Sequence, residues 1–151
     1  MRFSFISLWV LIMLAACNRK NEAIEEESTS PCGKPVLVNT AGYDVATTLD
    51  GVTDVSISGD CLTVKAKTDC CTDFSEVDVL YGEASLATVY PPEHRLKIVL
   101  NDKGATQGAC GGICTQSYSF DLTPLKQEGT SKISLRITGA PNYSKTVEYS
   151  Y

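Results

Sequence analysis

Residues 54–67 read DVSISGDCLTVKAK, and their alternating pattern is the clearest indication of the fold class. Apolar residues occupy every second position on both sides of Gly59-Asp60, a dipeptide that favours a tight turn. Because side chains alternate between the two faces of a β-strand, each half of the stretch has one apolar face. The stretch therefore predicts a β-hairpin, whose inward-facing residues are Val55, Ile57, Leu62, Val64 and Ala66.

The same alternation recurs from about Val36 to the end of the chain, between segments rich in Gly, Asp, Asn and Pro. Its apolar sets are Val77, Val79 and Tyr81; Leu96, Ile98 and Leu100; Tyr118, Phe120 and Leu122; Ile133, Leu135 and Ile137; and Val147, Tyr149 and Tyr151. Seven to eight short strands of this kind predict an all-β domain over residues 32–151. We expect an immunoglobulin-like β-sandwich of antiparallel strands with disulfides.

The single helical signal is Thr123-Pro124-Leu125-Lys126. A threonine can cap the free N–H groups of a turn, and proline suits the first helical position. We expect one short helical turn between two strands, capped by Thr123.

The N-terminus has the pattern of an export signal. Arg2 precedes a short apolar stretch from Leu8 to Leu14, and small residues follow. The stretch is well below the ~20 residues that cross a bilayer, so we expect residues 1–16 to be a cleaved signal peptide. Its ending, Leu14-Ala15-Ala16-Cys17, resembles the lipobox of bacterial lipoproteins. The resemblance implies palmitate or a similar lipid on Cys17 and a lipid-anchored location in the cell envelope, at the outer membrane. The alternative is an ordinary secretory signal peptide followed by an unrelated cysteine.

Residues 17–31 are polar and contain the acidic run Glu25-Glu26-Glu27. Such a segment has almost nothing that can enter a core, so we expect a flexible, lipidated tether. The acidic run also resembles the export signals of surface-exposed lipoproteins of Bacteroidota. A merely solvated linker explains it equally well.

Charge and motif content exclude several classes of function. The net charge is −5 and the basic residues are not clustered, so a nucleic-acid partner is not expected. The chain has no Gly-x-Ser-x-Gly, phosphate-loop or His-Glu-x-x-His motif. We expect a protein that is not an enzyme and needs no cofactor or metal, with the membrane as one partner and a protein or glycan as the ligand.

Seven cysteines are present, and lipidation of Cys17 would leave an even number. In an exported chain the six others, Cys32, Cys61, Cys70, Cys71, Cys110 and Cys114, are candidates for up to three disulfides. Adjacent cysteines in a strand point to opposite faces, so Cys70 and Cys71 would take different partners. Cys110 and Cys114 are candidate partners, which leaves Cys32 for Cys61. Six cysteines permit fifteen connectivities, so this pairing stays open.

An alternative function uses the Cys70/Cys71 and Cys110/Cys114 pairs for redox chemistry or metal handling. Four thiolates can bind a structural zinc, and two vicinal thiols can cycle as a redox centre. The two-residue spacing typical of zinc and redox motifs is absent. Structural disulfides are therefore the favoured interpretation.

The one histidine, His94, follows Pro91-Pro92, so we expect it in an exposed loop with no catalytic partner. A hydrolase or protease inhibitor that uses His94 is a third hypothesis, and nothing in the sequence identifies its nucleophile. The segments Pro91–Arg95 and Asn101–Gly112 are the predicted ligand-contacting loops. Asn101–Gly108 favours a turn over a calcium loop. We expect Asp69 and Asp73 to be solvated turn residues.

Several motifs together resemble a group of small uncharacterised lipoproteins from Bacteroidota. They are Cys32-Gly33, Gly59-Asp60-Cys61-Leu62, Cys71 with Asp73-Phe74, Cys110, and Phe120-Asp121-Leu122-Thr123-Pro124-Leu125-Lys126. The resemblance implies a fold and an envelope location rather than a reaction. In that pattern Cys70 and Cys114 look like additions, which fits their pairing with one another.

Overall fold

The computed structural model describes residues 30–38, 40–85, 90–101, 111–139 and 142–151. Its strands are β1 (Lys34–Pro35), β2 (Val52–Ser58), β3 (Cys61–Asp69), β4 (Val77–Ser85), β5 (Glu93–Leu100), β6 (Ile113–Asp121), β7 (Lys132–Thr138) and β8 (Ser144–Ser150). Three single 3-10 turns lie at Thr40–Gly42, Phe74–Glu76 and Thr123–Leu125. Within these ranges no helix is long and apolar enough to span a membrane.

The predicted hairpin is present as β2 and β3. Ser58 pairs with Cys61, so the connection is a two-residue turn at Gly59 and Asp60. Gly59 has a φ of +56°, which glycine adopts without steric cost. The alternating pattern of residues 54–67 therefore becomes a tightly turned antiparallel ladder.

The strands form two four-stranded sheets, in the orders β1-β6-β3-β2 and β4-β5-β7-β8. The prediction of an all-β fold is confirmed, but the expectation of purely antiparallel strands is wrong. β1 pairs with β6, and β5 with β7, in parallel. The chain leaves β5 for the other sheet at β6 and then returns, so β7 lies beside β5 in the same direction. Periodicity within a strand carries no information about this crossover.

One hydrophobic core lies between the two sheets. It takes residues from both sheets, and most members of the alternating apolar sets are buried in it. Those with no exposed surface are Leu62, Val64, Ala66, Val77, Val79, Leu96, Ile98, Phe120, Leu122, Ile133, Leu135, Ile137 and Tyr149. Tyr81, Leu100, Val147 and Tyr151 are only partly buried and pack against this cluster.

The short turn at Thr123–Leu125 is present, but its N-cap residue is Leu122, which makes no side-chain capping hydrogen bond. Oδ1 of Asp121 accepts hydrogen bonds from the backbone N–H of Thr123 at 2.8 Å and from its hydroxyl at 2.6 Å. Thr123 is itself inside the turn and cannot cap it. The turn therefore lies where it was predicted, but the predicted threonine cap is wrong.

Candidate functional site

His94 lies in a strand and not in an exposed loop. β5 begins at Glu93, which already pairs with Ser134 of β7, so only Pro91 and Pro92 precede the ladder. His94 shares its strand face with Leu96 and Ile98, and 1 % of its surface is exposed. The expectation of a surface histidine within Pro91–Arg95 is therefore wrong. Pro91-Pro92 indicated a loop that includes His94, but β5 is already paired with a strand on each side at Glu93.

Tyr81 of β4 orients the His94 ring. Tyr81 pairs directly with Leu96, which makes His94, two residues earlier, its diagonal neighbour on the same face. Oη of Tyr81 lies 2.8 Å from Nδ1 of His94, and the two ring centroids are 5.5 Å apart. This hydrogen bond occupies one of the two ring nitrogens.

The other ring nitrogen of His94 is the unusual feature of the site. Nε2 is buried and has no hydrogen-bond partner within the described part of the chain. Burial lowers the pKa of His94 below its usual 6.5, because an imidazolium would lose its hydration there. A buried polar atom without a partner costs about 1–3 kcal/mol. His94 is therefore a neutral side chain with one unused hydrogen-bonding position.

A cleft of about 180 Å³ adjoins this histidine. It is lined by Val38, Tyr81, His94, Pro124, Leu125, Lys126 and Gln127. Known sites for drug-sized ligands hold about 300–1,000 Å³. The cleft therefore has room for one small ring or for the end group of a longer molecule.

One wall of the cleft is the turn after β6. Leu122 and Leu125 anchor this turn because both side chains are buried in the core. Nζ of Lys126 lies 2.9 Å from Oδ2 of Asp60, in the turn of the first hairpin. These contacts hold the wall against the rest of the domain.

Val38 also lines the cleft and ends a segment, residues 34–38, that passes from one sheet to the other. The backbone N–H of Val36 bonds to Asp121 of β6, and the N–H of Leu37 bonds to Val79 of β4. The Cys32–Cys61 disulfide ties the start of this segment to β3. Val38 follows, 59 % exposed, at the mouth of the cleft.

The cysteines form disulfides. Cys32 is bonded to Cys61 and Cys70 to Cys114, and Cys71 is also disulfide-bonded. Cys17 and Cys110 lie outside the described residues, as do the signal peptide and most of the tether.

The bonding pattern overturns the metal alternative at Cys70/Cys71 and Cys110/Cys114, because a disulfide sulfur offers no thiolate to zinc. In the described ranges no three His, Cys, Asp or Glu side chains are grouped to hold a metal ion. Cys70 pairs with Cys114 rather than with its neighbour, so the adjacent cysteines are not a redox pair.

The remaining predicted site residues have structural roles. Oδ1 of Asp69 accepts a hydrogen bond from the N–H of Cys71. Asp73 caps the Phe74–Glu76 turn through the N–H of Ser75, and these Ser75 hydrogen bonds lower the pKa of Asp73. The amide of Asn101 donates to Ser75 and to Asp78. Residues 102–110 of the predicted loop Asn101–Gly112 lie outside the described residues.

The Tyr81–His94 pair was not predicted from the sequence, although one signal for it exists. His94, Leu96 and Ile98 alternate without interruption, so the apolar face of β5 extends back to the histidine. A histidine on a core-facing position is buried, and a buried histidine is expected to have a polar partner. The diagonal position of Tyr81 required the register between the two strands.

No family model matches this chain, and no curated protein does. Solved structures that are similar to it include two from Bacteroides. One is a protein of unknown function, DUF1344, from Bacteroides vulgatus, with 18% identity, a TM-score of 0.48, and coverage of 79% of this chain and 58% of that one. The other is a candidate lipoprotein from Bacteroides fragilis, with 12% identity, a TM-score of 0.41, and coverage of 78% and 70%.

This chain therefore spans little more than half of the first of these proteins. Both of these structures come from Bacteroides, and neither has a function that could be assigned to this chain. The lipobox ending at Cys17 stays a prediction.

Proposed function

We propose that this chain is a non-enzymatic binding module of the bacterial cell envelope, with the cleft beside His94 as its binding site. The observation that carries the proposal is Nε2 of His94, which is buried, neutral and without a partner beside a cleft. A bound ligand would supply the missing hydrogen bond. Its binding would then recover part of the free energy that this atom costs the folded protein.

The proposed fold is an immunoglobulin-like sandwich. Two four-stranded sheets that share one core support it, as do the connections that cross between the sheets at β3–β4 and β5–β6–β7. Sandwich domains commonly bind ligands at the ends of their sheets. The cleft lies beside residues 34–38, where the chain passes between the sheets.

The proposed anchor is a lipid on Cys17, at the outer membrane. The signal-peptide pattern of residues 1–16 and the Leu14-Ala15-Ala16-Cys17 ending support it. A polar tether before the domain would leave the cleft accessible to ligands near the membrane surface.

Binding fits the site better than catalysis does. The described partner of His94 is a tyrosine hydroxyl, and no carboxylate of the described residues bonds to the ring. A general base needs a pKa near the working pH and access to the proton that it removes. His94 is instead held neutral by burial, with its free nitrogen covered.

A fragment screen by NMR tests the binding proposal. The full chain is purified from membranes in detergent and titrated with a mixed library of small neutral, charged and apolar compounds. We expect shifts that cluster at Val38, Tyr81, His94 and residues 124–127. A library that produces no saturable shift there contradicts the proposal.

The anchor is tested separately, by metabolic labelling with a palmitate analogue and by detergent-phase partitioning of wild type and Cys17→Ser. We expect label and detergent partitioning in the wild type alone. Asn18→Ser is the matched control and is expected to behave as the wild type. Labelling that survives in Cys17→Ser contradicts the anchor.

A further inference from the structure

We infer that the His94 cleft recognises one uncharged sugar ring, with a ring hydroxyl bonded to Nε2 of His94. The inference rests on the proposed binding function and gives that site a ligand class. Three properties of the cleft lead to it: its hydrogen-bonding chemistry, its charge and its size.

The hydrogen-bonding chemistry favours a hydroxyl group. If Tyr81 donates to Nδ1, then Nε2 carries the proton of the neutral ring and is a donor. If Nδ1 donates to Tyr81, then Nε2 is an acceptor. A hydroxyl satisfies either state, because it both donates and accepts. A carbonyl satisfies only the first state and an ammonium group only the second.

The charge of the cleft favours an uncharged ligand. His94 is neutral, and the charged side chain among the lining residues is Lys126. Nζ of Lys126 already lies 2.9 Å from the carboxylate of Asp60. An anion would have to compete with Asp60 for this cation, and a cation would meet no free carboxylate among the lining residues.

Size and wall chemistry favour one ring over a folded partner. The cleft holds about 180 Å³, whereas specific protein–protein interfaces bury about 1,200–2,000 Å². Val38, Pro124 and Leu125 give it apolar walls beside the polar His94–Tyr81 pair. A sugar ring presents C–H groups and hydroxyls together, and therefore matches both parts.

Nε2 is buried in this structure, so a hydroxyl bonds to it only after a neighbouring side chain moves aside. Lys126 and Gln127 are exposed residues with long side chains that line the cleft. Binding thus requires a change of side-chain rotamer and leaves β4 and β5 in place.

The single histidine of the chain makes the test direct. The full chain is labelled with 15N-histidine, carries no histidine tag, and is kept in a detergent without a sugar headgroup. It is titrated with the methyl glycosides of glucose, galactose and N-acetylglucosamine. Methyl glucuronide is the charged control, and tetrahydropyran is a ring of similar size without hydroxyls.

We expect at least one neutral glycoside to shift the Nε2 resonance of His94 saturably, and neither control to do so. Tyr81→Phe should weaken that binding roughly fivefold, because it removes the hydroxyl that orients the His94 ring and selects its tautomer. Tyr43→Phe, a tyrosine outside the lining residues, is the matched variant and should bind as the wild type does.

Three results overturn the inference: no saturable shift with any neutral glycoside, an equal response to either control compound, or unchanged binding in Tyr81→Phe. If library fragments still bind at the cleft, the binding function stands and only the ligand class is wrong. If neither glycosides nor fragments bind there, both proposals fail.

Discussion

The hydroxyl of Tyr149 donates a 2.7 Å hydrogen bond to Oδ1 of Asp60, and so joins the last strand of one sheet to the first hairpin of the other. Oδ2 of the same carboxylate accepts from Lys126, beside the cleft. The backbone carbonyl of Asp60 also accepts from Leu122. One turn residue therefore connects the two sheets and the wall of the candidate site.

Tyr149→Phe should lower the free energy of unfolding by about 1 kcal/mol, because it removes one partly buried hydrogen bond and keeps the ring. Burial and the Asp60 carboxylate raise the pKa of Tyr149, so this hydroxyl remains a donor at ordinary pH. Urea denaturation measures the change. Tyr90→Phe is the control, since Tyr90 is 71 % exposed. Equal losses in the two variants would show that the Tyr149–Asp60 bond contributes nothing.

The buried His94 should make the protein less stable as the pH falls below about 6.5. Above that value His94 is neutral in both the folded and the unfolded chain, and its contribution is constant. Below it the unfolded chain gains a proton that the folded chain, with its lowered pKa, does not yet bind. The slope is at most about 1.4 kcal/mol per pH unit for one group.

Denaturation midpoints between pH 7.5 and about 5 measure this slope, above the range in which carboxylates titrate. His94→Gln, which cannot titrate, should flatten the profile over the same interval. A wild-type profile that is already flat, or a variant with the same slope as the wild type, contradicts the assignment to His94.

Replacing both cysteines of the Cys32–Cys61 bridge by serine should reduce stability by about 3 kcal/mol. The bridge closes a loop over a sequence separation of 29 residues and limits the freedom of the unfolded chain. We expect a loss of similar size for Cys70→Ser with Cys114→Ser, whose separation is 44. Calorimetric unfolding compares the two variants.

Only the first of these variants should also weaken fragment binding at the cleft, because Cys32 anchors the segment that leads to Val38. Equal weakening of binding in both variants would instead point to a general loss of structure.

Ile98 and Ile113 provide a matched test of the core. Both lie in strands, but Ile98 has no exposed surface and Ile113 is 80 % exposed. Ile98→Ala should cost about 2–5 kcal/mol through lost burial and the cavity that remains. Ile113→Ala should change stability by less than about 0.5 kcal/mol. Equal effects in urea unfolding would mean that the described core is not the one that stabilises the protein.

Much of the fold could be predicted because its signals are local. The hairpin of residues 54–67 needed only an alternating pattern and a turn, and both are properties of neighbouring residues. The Gly59-Asp60-Cys61-Leu62 motif belongs to the resemblance to small lipoproteins from Bacteroidota. The residues that contact this motif lie elsewhere in the chain: Cys32 forms a disulfide with Cys61, and the Tyr149 hydroxyl donates a hydrogen bond to Asp60.

The candidate site could not be predicted in the same way. Val38, Tyr81, His94 and residues 124–127 come from four separate segments, and no spacing connects them. Pro91-Pro92 indicated a loop at His94, and only the pairing of β5 with strands on both sides showed that the position is buried.

The sequence alone indicated most of the strands and the apolar face of each, although not their ends at His94, because a strand's side chains repeat every two residues whatever lies beside it. The tertiary structure was needed to show that β5 and β7 run in parallel, that His94 is buried beside Tyr81, and that Nε2 of His94 is left without a partner in the described part of the chain. Those outcomes depend on which segments meet after the chain has crossed between the sheets. A periodic pattern shows which face of a strand is apolar, but it does not show which other strands lie beside that strand.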